Sequence, residues 1–133
     1  MNFIPLAGRI LFSLIFVMSG LNDFSAQTIG YAASTGVPMA NILVPLSGVL
    51  AIVGGLSIIL GFKTRIGAVL IVLFLVPVTF MMHNFWTKTD PMARQMDMIH
   101  FMKNLSMLGG ALILMYWGGG PLSVSTCPPP AQK

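Results

Sequence analysis

Apolar positions fall into four long stretches along the chain, residues 3–22, 42–61, 65–83 and 99–117, with polar residues, Gly and Pro collecting between them. A helix rises about 1.5 Å per residue, so each stretch reaches across the roughly 30 Å hydrocarbon core of a bilayer. The pattern predicts an all-α membrane protein, a four-transmembrane-helix up-and-down bundle forming one domain over residues 1–117. Between the first two stretches, Phe24, Ile29, Tyr31 and Val37 alternate irregularly with Ser, Thr and Gln before the break at Gly36, Val37 and Pro38. That pattern predicts a short interfacial segment lying on the membrane. The turn over residues 61–65 is short enough to make the second and third helices a tight antiparallel hairpin, and Pro77 predicts a kink in the third. Residues 118–133, with three glycines and a triple proline, read as a Gly/Pro-rich C-terminal tail without a core.

Composition supports the same division. The chain is 56% hydrophobic and 8% charged, with a mean hydropathy of +0.88, whereas a soluble domain carries about a quarter charged residues. Its surface therefore faces lipid. Seven Lys and Arg outnumber three Asp, but they are scattered and form no patch that could track phosphates, so nucleic acid is excluded as a partner. In a membrane protein the basic residues set topology. Lys63 and Arg65 place their turn and both termini in the cytoplasm, and the third loop outside; Lys88 and Arg94 oppose this, with Asp90 and Asp97 interspersed. The first stretch has no basic residue before Arg9 and three spans follow it, which reads as a retained helix rather than a secretory signal.

Small residues recur at intervals of four, as Ser47, Ala51 and Gly55 in the second helix and Ser106 and Gly110 in the fourth. They predict close helix packing within the chain first, and a homo-oligomer face second.

The up-and-down order brings the ends of the first and third spans and the start of the fourth to one membrane face. Asn22, Asp23, His83, Asn84, His100, Lys103 and Asn104 are thereby gathered into a candidate polar pocket. His100, Lys103, Asn104 and Met107 share one helix face by the i, i+3, i+4, i+7 rule. A charge within a span costs about 2.5–3.5 kcal/mol on insertion scales, so Asp23 is expected to neutralise Lys103 and position both imidazoles. Read singly, Lys103 would snorkel to the headgroups and the histidines would sit in interfacial water. Arg9 lies toward the opposite face on a stripe with Ser13, Phe16 and Gly20, away from all three acids. Within the chain it would meet only carbonyls and hydroxyls, so a lipid phosphate or another subunit is expected to hold it.

Cys127 stands alone, so the chain forms no internal disulfide and runs no thiol exchange by itself. Met92, Met96, Met98 and Met102 around His100 would suit Cu(I), but no paired Cys or His ligands accompany them. They read as packing, and no metal site is expected. No Ser/His/Asp grouping, phosphate loop or paired carboxylates support a hydrolase.

Several of these residues together resemble a known family. Gly8-Arg9-Ile10-Leu11 leading to Ser19-Gly20-Leu21-Asn22, then Gly54-Gly55 and Gly61, Thr64-Arg65, His83-Asn84-Phe85-Trp86, and His100-Phe101-Met102-Lys103-Asn104-Leu105 with Gly109-Gly110 are similar to the DoxX family of bacterial membrane proteins. The likeness covers nearly the whole chain. It departs where the family commonly carries a Glu before the Gly-Gly pair, here Ala51, and where a closing segment ends in Asp, here Gly118 to Ser125. The resemblance implies the bacterial inner membrane and a neighbourhood of quinone-linked redox systems, often as a small subunit beside a catalytic partner. It thus implies an accessory subunit of a redox or respiratory assembly, not catalytic alone, in contact with membrane lipids and other membrane subunits. It implies no covalently bound cofactor, with quinone the one within reach. The alternative is a quinone-reactive oxidoreductase subunit using His83, His100, Lys103 or Asn104. A small-molecule or lipid transporter comes third, since four spans are few unless the chain oligomerises.

Overall fold

The computed structural model describes residues 1–125 together with Pro128 and Ala131; Cys127 and the remainder of the predicted tail lie outside the described residues. The described residues form α1 (Phe3–Asn22), α2 (Ala26–Ser34), α3 (Ala40–Leu60), α4 (Thr64–Met82), a single 3₁₀ turn (Phe85–Thr87) and α5 (Pro91–Trp117). Helices α1, α3, α4 and α5 are each long and apolar enough to cross a membrane, and α2 is the short element between the first two. The all-α, four-span reading is correct.

Local chemistry explains the boundaries. Ser25 caps α2, its Oγ accepting from the Thr28 amide at 3.2 Å. Gly61 ends α3 with φ 70°, returning its amide to Ile58 O at 3.1 Å, while the Phe62 amide reaches Ser57 O at 3.0 Å. This left-handed closure is what glycine permits at the end of a helix, and it makes the hairpin to α4 tight. Helix α5 begins eight residues before the predicted fourth stretch. Asp90 caps it by accepting from the Ala93 amide at 3.3 Å, and Pro91 occupies the first turn. Its first two turns are too polar to register as a span, so hydropathy alone starts the helix late.

Glycines bring the first three spans together. A Cβ on Gly20 would lie 2.6 Å from Gly48 O, and one on Gly48 would lie 2.7 Å from Gly20 O, so α1 and α3 cross backbone to backbone. Likewise a Cβ on Gly54 would lie 2.9 Å from Gly67 O in α4. With no hydrophobic drive between helices in lipid, such close packing is what holds them. The core they enclose is Phe16, Ala51, Ile58, Ala68, Ile71, Phe74, Leu75 and Ala111. Phe16 meets Phe74 edge to face at 6.2 Å, and Phe12 lies over Gly110 to bring α1 against α5.

The segment after α5 returns to the turn between α3 and α4. Val124 donates its amide to Leu60 O and Ser125 to Gly61 O, each at 3.1 Å, while Ser125 Oγ accepts from the Lys63 amide at 2.8 Å. The segment thereby satisfies carbonyls at the end of α3 and an amide at the start of α4, groups that a helix cannot pair internally.

Candidate functional site

The two ends of the bundle carry different polar chemistry. At the end where α1 begins, Arg9 is 2% exposed. Its Nη1 donates to Ser123 Oγ at 3.0 Å, and its Nη2 donates to Leu122 O at 2.8 Å and Pro121 O at 3.4 Å. Arg9 Nε and the neighbouring Ser13 Oγ make no hydrogen bond among the described residues. The expectation that Arg9 turns to a lipid phosphate or another subunit is therefore corrected: the chain's own C-terminal segment covers it. Hydrogen bonds to two carbonyls and a hydroxyl replace the missing acid, as the absence of a nearby carboxylate requires.

At the other end, the expected cluster separates into three parts. His83 stacks on His100 with ring centroids 5.0 Å apart, and its Nδ1 lies 3.4 Å from Asp97 Oδ1. Lys88 Nζ sits 3.7 Å from the second oxygen of Asp97, which is buried. Asp97 thus joins the 3₁₀-turn region to α5. Sequence reasoning placed it in a loop, although its spacing of three from His100 was a signal available once the helix is begun at Pro91. Asn84 stays in the connection, its carbonyl accepting from Thr87 Oγ1 at 2.9 Å.

Lys103 forms the second part. It does not pair with Asp23 or Asn22; its Nζ lies 3.3 Å from His100 Nδ1 on the exposed side of α5. The buried residues of α5 are Asp97, Asn104 and Ala111, spaced by seven. That stripe turns Asn104 inward and leaves Lys103, one residue earlier and roughly 100° away, facing out.

Asp23 forms the third part. It is 8% exposed and accepts from Ser47 Oγ at 3.1 Å. The hydroxyl has one hydrogen, which also has Val44 O within 2.6 Å, so the carboxylate shares its donor. Burial pushes the Asp23 carboxyl up to about 6, opposed by the Ser47 hydrogen bond. Asp23, Asn22, Ser19, Thr28, Ser47 and His83 line a cavity of about 440 Å³ whose remaining walls are apolar, among them Leu50, Leu73, Phe74, Pro77 and Met81. His100, Lys103 and Asn104 are not among its walls. Of the seven residues grouped from sequence, this cavity unites Asn22, Asp23 and His83. Among the described residues no group of three or more His, Cys, Asp or Glu is placed to hold a metal.

Comparison with known proteins gives a consistent family. The DoxX family model matches residues 4–84. The chain is 33% identical over 121 residues to the inner membrane protein YphA of Escherichia coli, covering 90% of this chain and 86% of that one. It is also 33% identical over 121 residues to the inner membrane protein YqjF of Escherichia coli, covering 90% and 87% of the two chains. A Surfeit locus protein 4 homolog of Schizosaccharomyces pombe is 31% identical over 124 residues, which make up 92% of this chain and 37% of that protein. No solved structure matches the chain.

Proposed function

The chain belongs to the DoxX family, and from that premise we propose that it is a small accessory subunit of a redox or respiratory assembly in the bacterial inner membrane. The observation carrying this reading is Lys103. It stands on the exposed side of α5, about 21 Å along the axis from Trp117, with no acidic group of the described chain paired to it. An ammonium at that depth is costly against lipid alone and is relieved by a neighbour's acid or acceptor. Helix α5 is also the least covered span, with 11% of its apolar window buried against 33% for α3 and for α4. In this role both termini and the turn at residues 61–65 face the cytoplasm, and His83 lies toward the periplasm.

Affinity purification from native membranes in a mild detergent tests the reading. A redox-enzyme partner should co-purify with the wild type and be largely lost from Lys103→Met, while Lys103→Arg retains it. Recovery of free monomer at native expression would overturn the proposal.

A second reading has the His83–His100 stack in its favour. Two imidazoles beside Asp97 could donate hydrogen bonds to quinone carbonyls and move protons, with electrons supplied by a partner enzyme. Loss of quinone reduction in the isolated complex of a His83→Gln variant, with assembly intact, would favour this reading.

A further inference from the structure

The Asp23 cavity is a separate feature from the α5 face, and of the paired histidines only His83 reaches its wall. Three observations about it converge. It is long and apolar: from His83, the residue after α4, back to Leu73 the wall spans about 15 Å at 1.5 Å per residue, with Phe74 on the same helix and Leu50 of α3 among its lining residues. Its charged group is a carboxylate, and no Lys or Arg lines it. That carboxylate is buried, has no cationic partner among the described residues, and is bonded only by a hydroxyl whose single hydrogen is shared with Val44 O.

The arrangement is also built in, since Gly48 is what leaves space for it. A Cβ at Gly48 would lie 2.9 Å from Asp23 Cβ and 3.4 Å from the Phe24 ring. The close crossing of α1 and α3 therefore places Asp23 in the wall of the cavity at the end of α1.

We infer that this cavity binds an amphipathic amine, its ammonium held by Asp23 and its apolar body lying between α1, α3 and α4. A buried carboxylate lacking a countercharge selects a cation, and an apolar wall beyond it selects a body without further charge. An ammonium has up to three donors: Asp23 accepts one, and Asn22, Thr28 and Ser19, residues whose side chains carry acceptor oxygens, are among the lining residues. Binding relieves Asp23 of the desolvation that otherwise drives it toward its neutral form. The amine enters from the membrane boundary with its head in the interfacial layer, where amphipathic amines concentrate. This inference stands independently of the accessory role.

The probe is 1-naphthylmethylamine, compared with 1-naphthylmethanol, a neutral molecule of nearly the same shape. Binding is followed by fluorescence with full-length protein in detergent and again in nanodiscs of zwitterionic lipid. Wild type should bind the amine about tenfold or more tightly than the alcohol, the preference expected of a charge-assisted hydrogen bond. Asp23→Asn should abolish that preference while still binding the alcohol, which shows that the cavity has survived the substitution. The preference should also fall as pH drops through about 6, where Asp23 takes up a proton. His83, just past the end of α4, is the other titratable wall residue, and its protonation would also repel the amine; repeating the titration in His83→Gln isolates the Asp23 contribution. Thr28 and Val37 are the contributions of the α2 region and do not titrate. Equal binding of amine and alcohol by wild type, or a preference unchanged in Asp23→Asn, would overturn the inference. An Asp23→Asn protein that binds neither probe is checked with Ser47→Ala, whose failure to alter the preference would also count against it.

Discussion

At the scale of single residues, two buried charges sit at opposite ends of the bundle, and each is met by neutral groups. Arg9 is held by Ser123 Oγ and two carbonyls, so its removal strands those carbonyls and frees the segment that supplies them. Ser123→Ala should lower stability by about 1–2 kcal/mol, the size of a hydrogen bond to a charged group, and Arg9→Ala should cost more. Thermal unfolding in detergent measures both, and limited proteolysis should show cleavage in residues 118–125 rising in the same order. Asp23 adds a dependence on pH. Its carboxyl is raised from 3.8 to about 6, so between those values the folded protein binds a proton that the unfolded chain does not. Its contribution to stability therefore grows as pH falls from 7 toward 4, and Asp23→Asn should flatten that part of the melting-temperature profile. That Arg9 would find no acid was readable in the sequence, because the position of a residue along a span fixes its depth. What covers it was not. The return of the chain depends on positive φ at Gly118, Gly120 and Leu122, and hydropathy carries no trace of backbone sign.

Among the elements, α1, α3 and α4 depend on glycine at specific crossings, and this separates glycines that matter from those that do not. Gly20→Ala or Gly48→Ala would push a methyl group to within 2.7 Å of a facing carbonyl, backbone that has little room to give. Each should destabilise by about 1–3 kcal/mol, the usual cost of overpacking. Gly109 on α5 has nothing within 4 Å of a built Cβ, and Gly109→Ala should be neutral or slightly stabilising through its better helix propensity. Unfolding in a denaturant series distinguishes the two classes. The four-residue spacing of Ser47, Ala51 and Gly55 announced a close contact, which Gly55 makes with α1, but it did not include Gly48, which also meets α1, or Gly54, which meets α4. Spacing defines a face; which neighbour arrives there depends on the crossing. The division of the polar cluster has a similar origin. Its members do lie toward one end, as alternation of the spans required, but α5 begins at Pro91, and its inward stripe of Asp97, Asn104 and Ala111 sends Lys103 outward.

For the molecule as a whole, orientation is the property that every functional reading requires. In a Cys127→Ser background, a membrane-impermeant thiol reagent added from the periplasm should label Lys88→Cys but not Lys63→Cys. The opposite pattern would place the histidines in the cytoplasm and reverse the proposed topology. The four-span architecture itself was readable because lipid imposes a simple demand: every backbone group at depth must be paired within its own helix. Partner surfaces obey no such simple rule. The outward face of α5 is apolar like any lipid-facing surface, and its single ammonium becomes informative only when its neighbours are known.

The contact between Arg9 and Ser123 also orders events in time. These residues are 114 positions apart, yet one completes the surroundings of the other. At a synthesis rate of about 5–20 residues per second, Arg9 leaves the ribosome on the order of ten seconds before Ser123 exists. Throughout that interval the first helix carries a guanidinium that its eventual neighbours cannot yet shelter, so the insertion machinery or lipid phosphates must hold it temporarily. A ribosome arrested just after Trp117 should display a first helix still reactive to arginine-directed reagents, whereas release of the finished chain should extinguish that reactivity. The surroundings of Arg9 are thus closed by a segment made long after the helix that carries it.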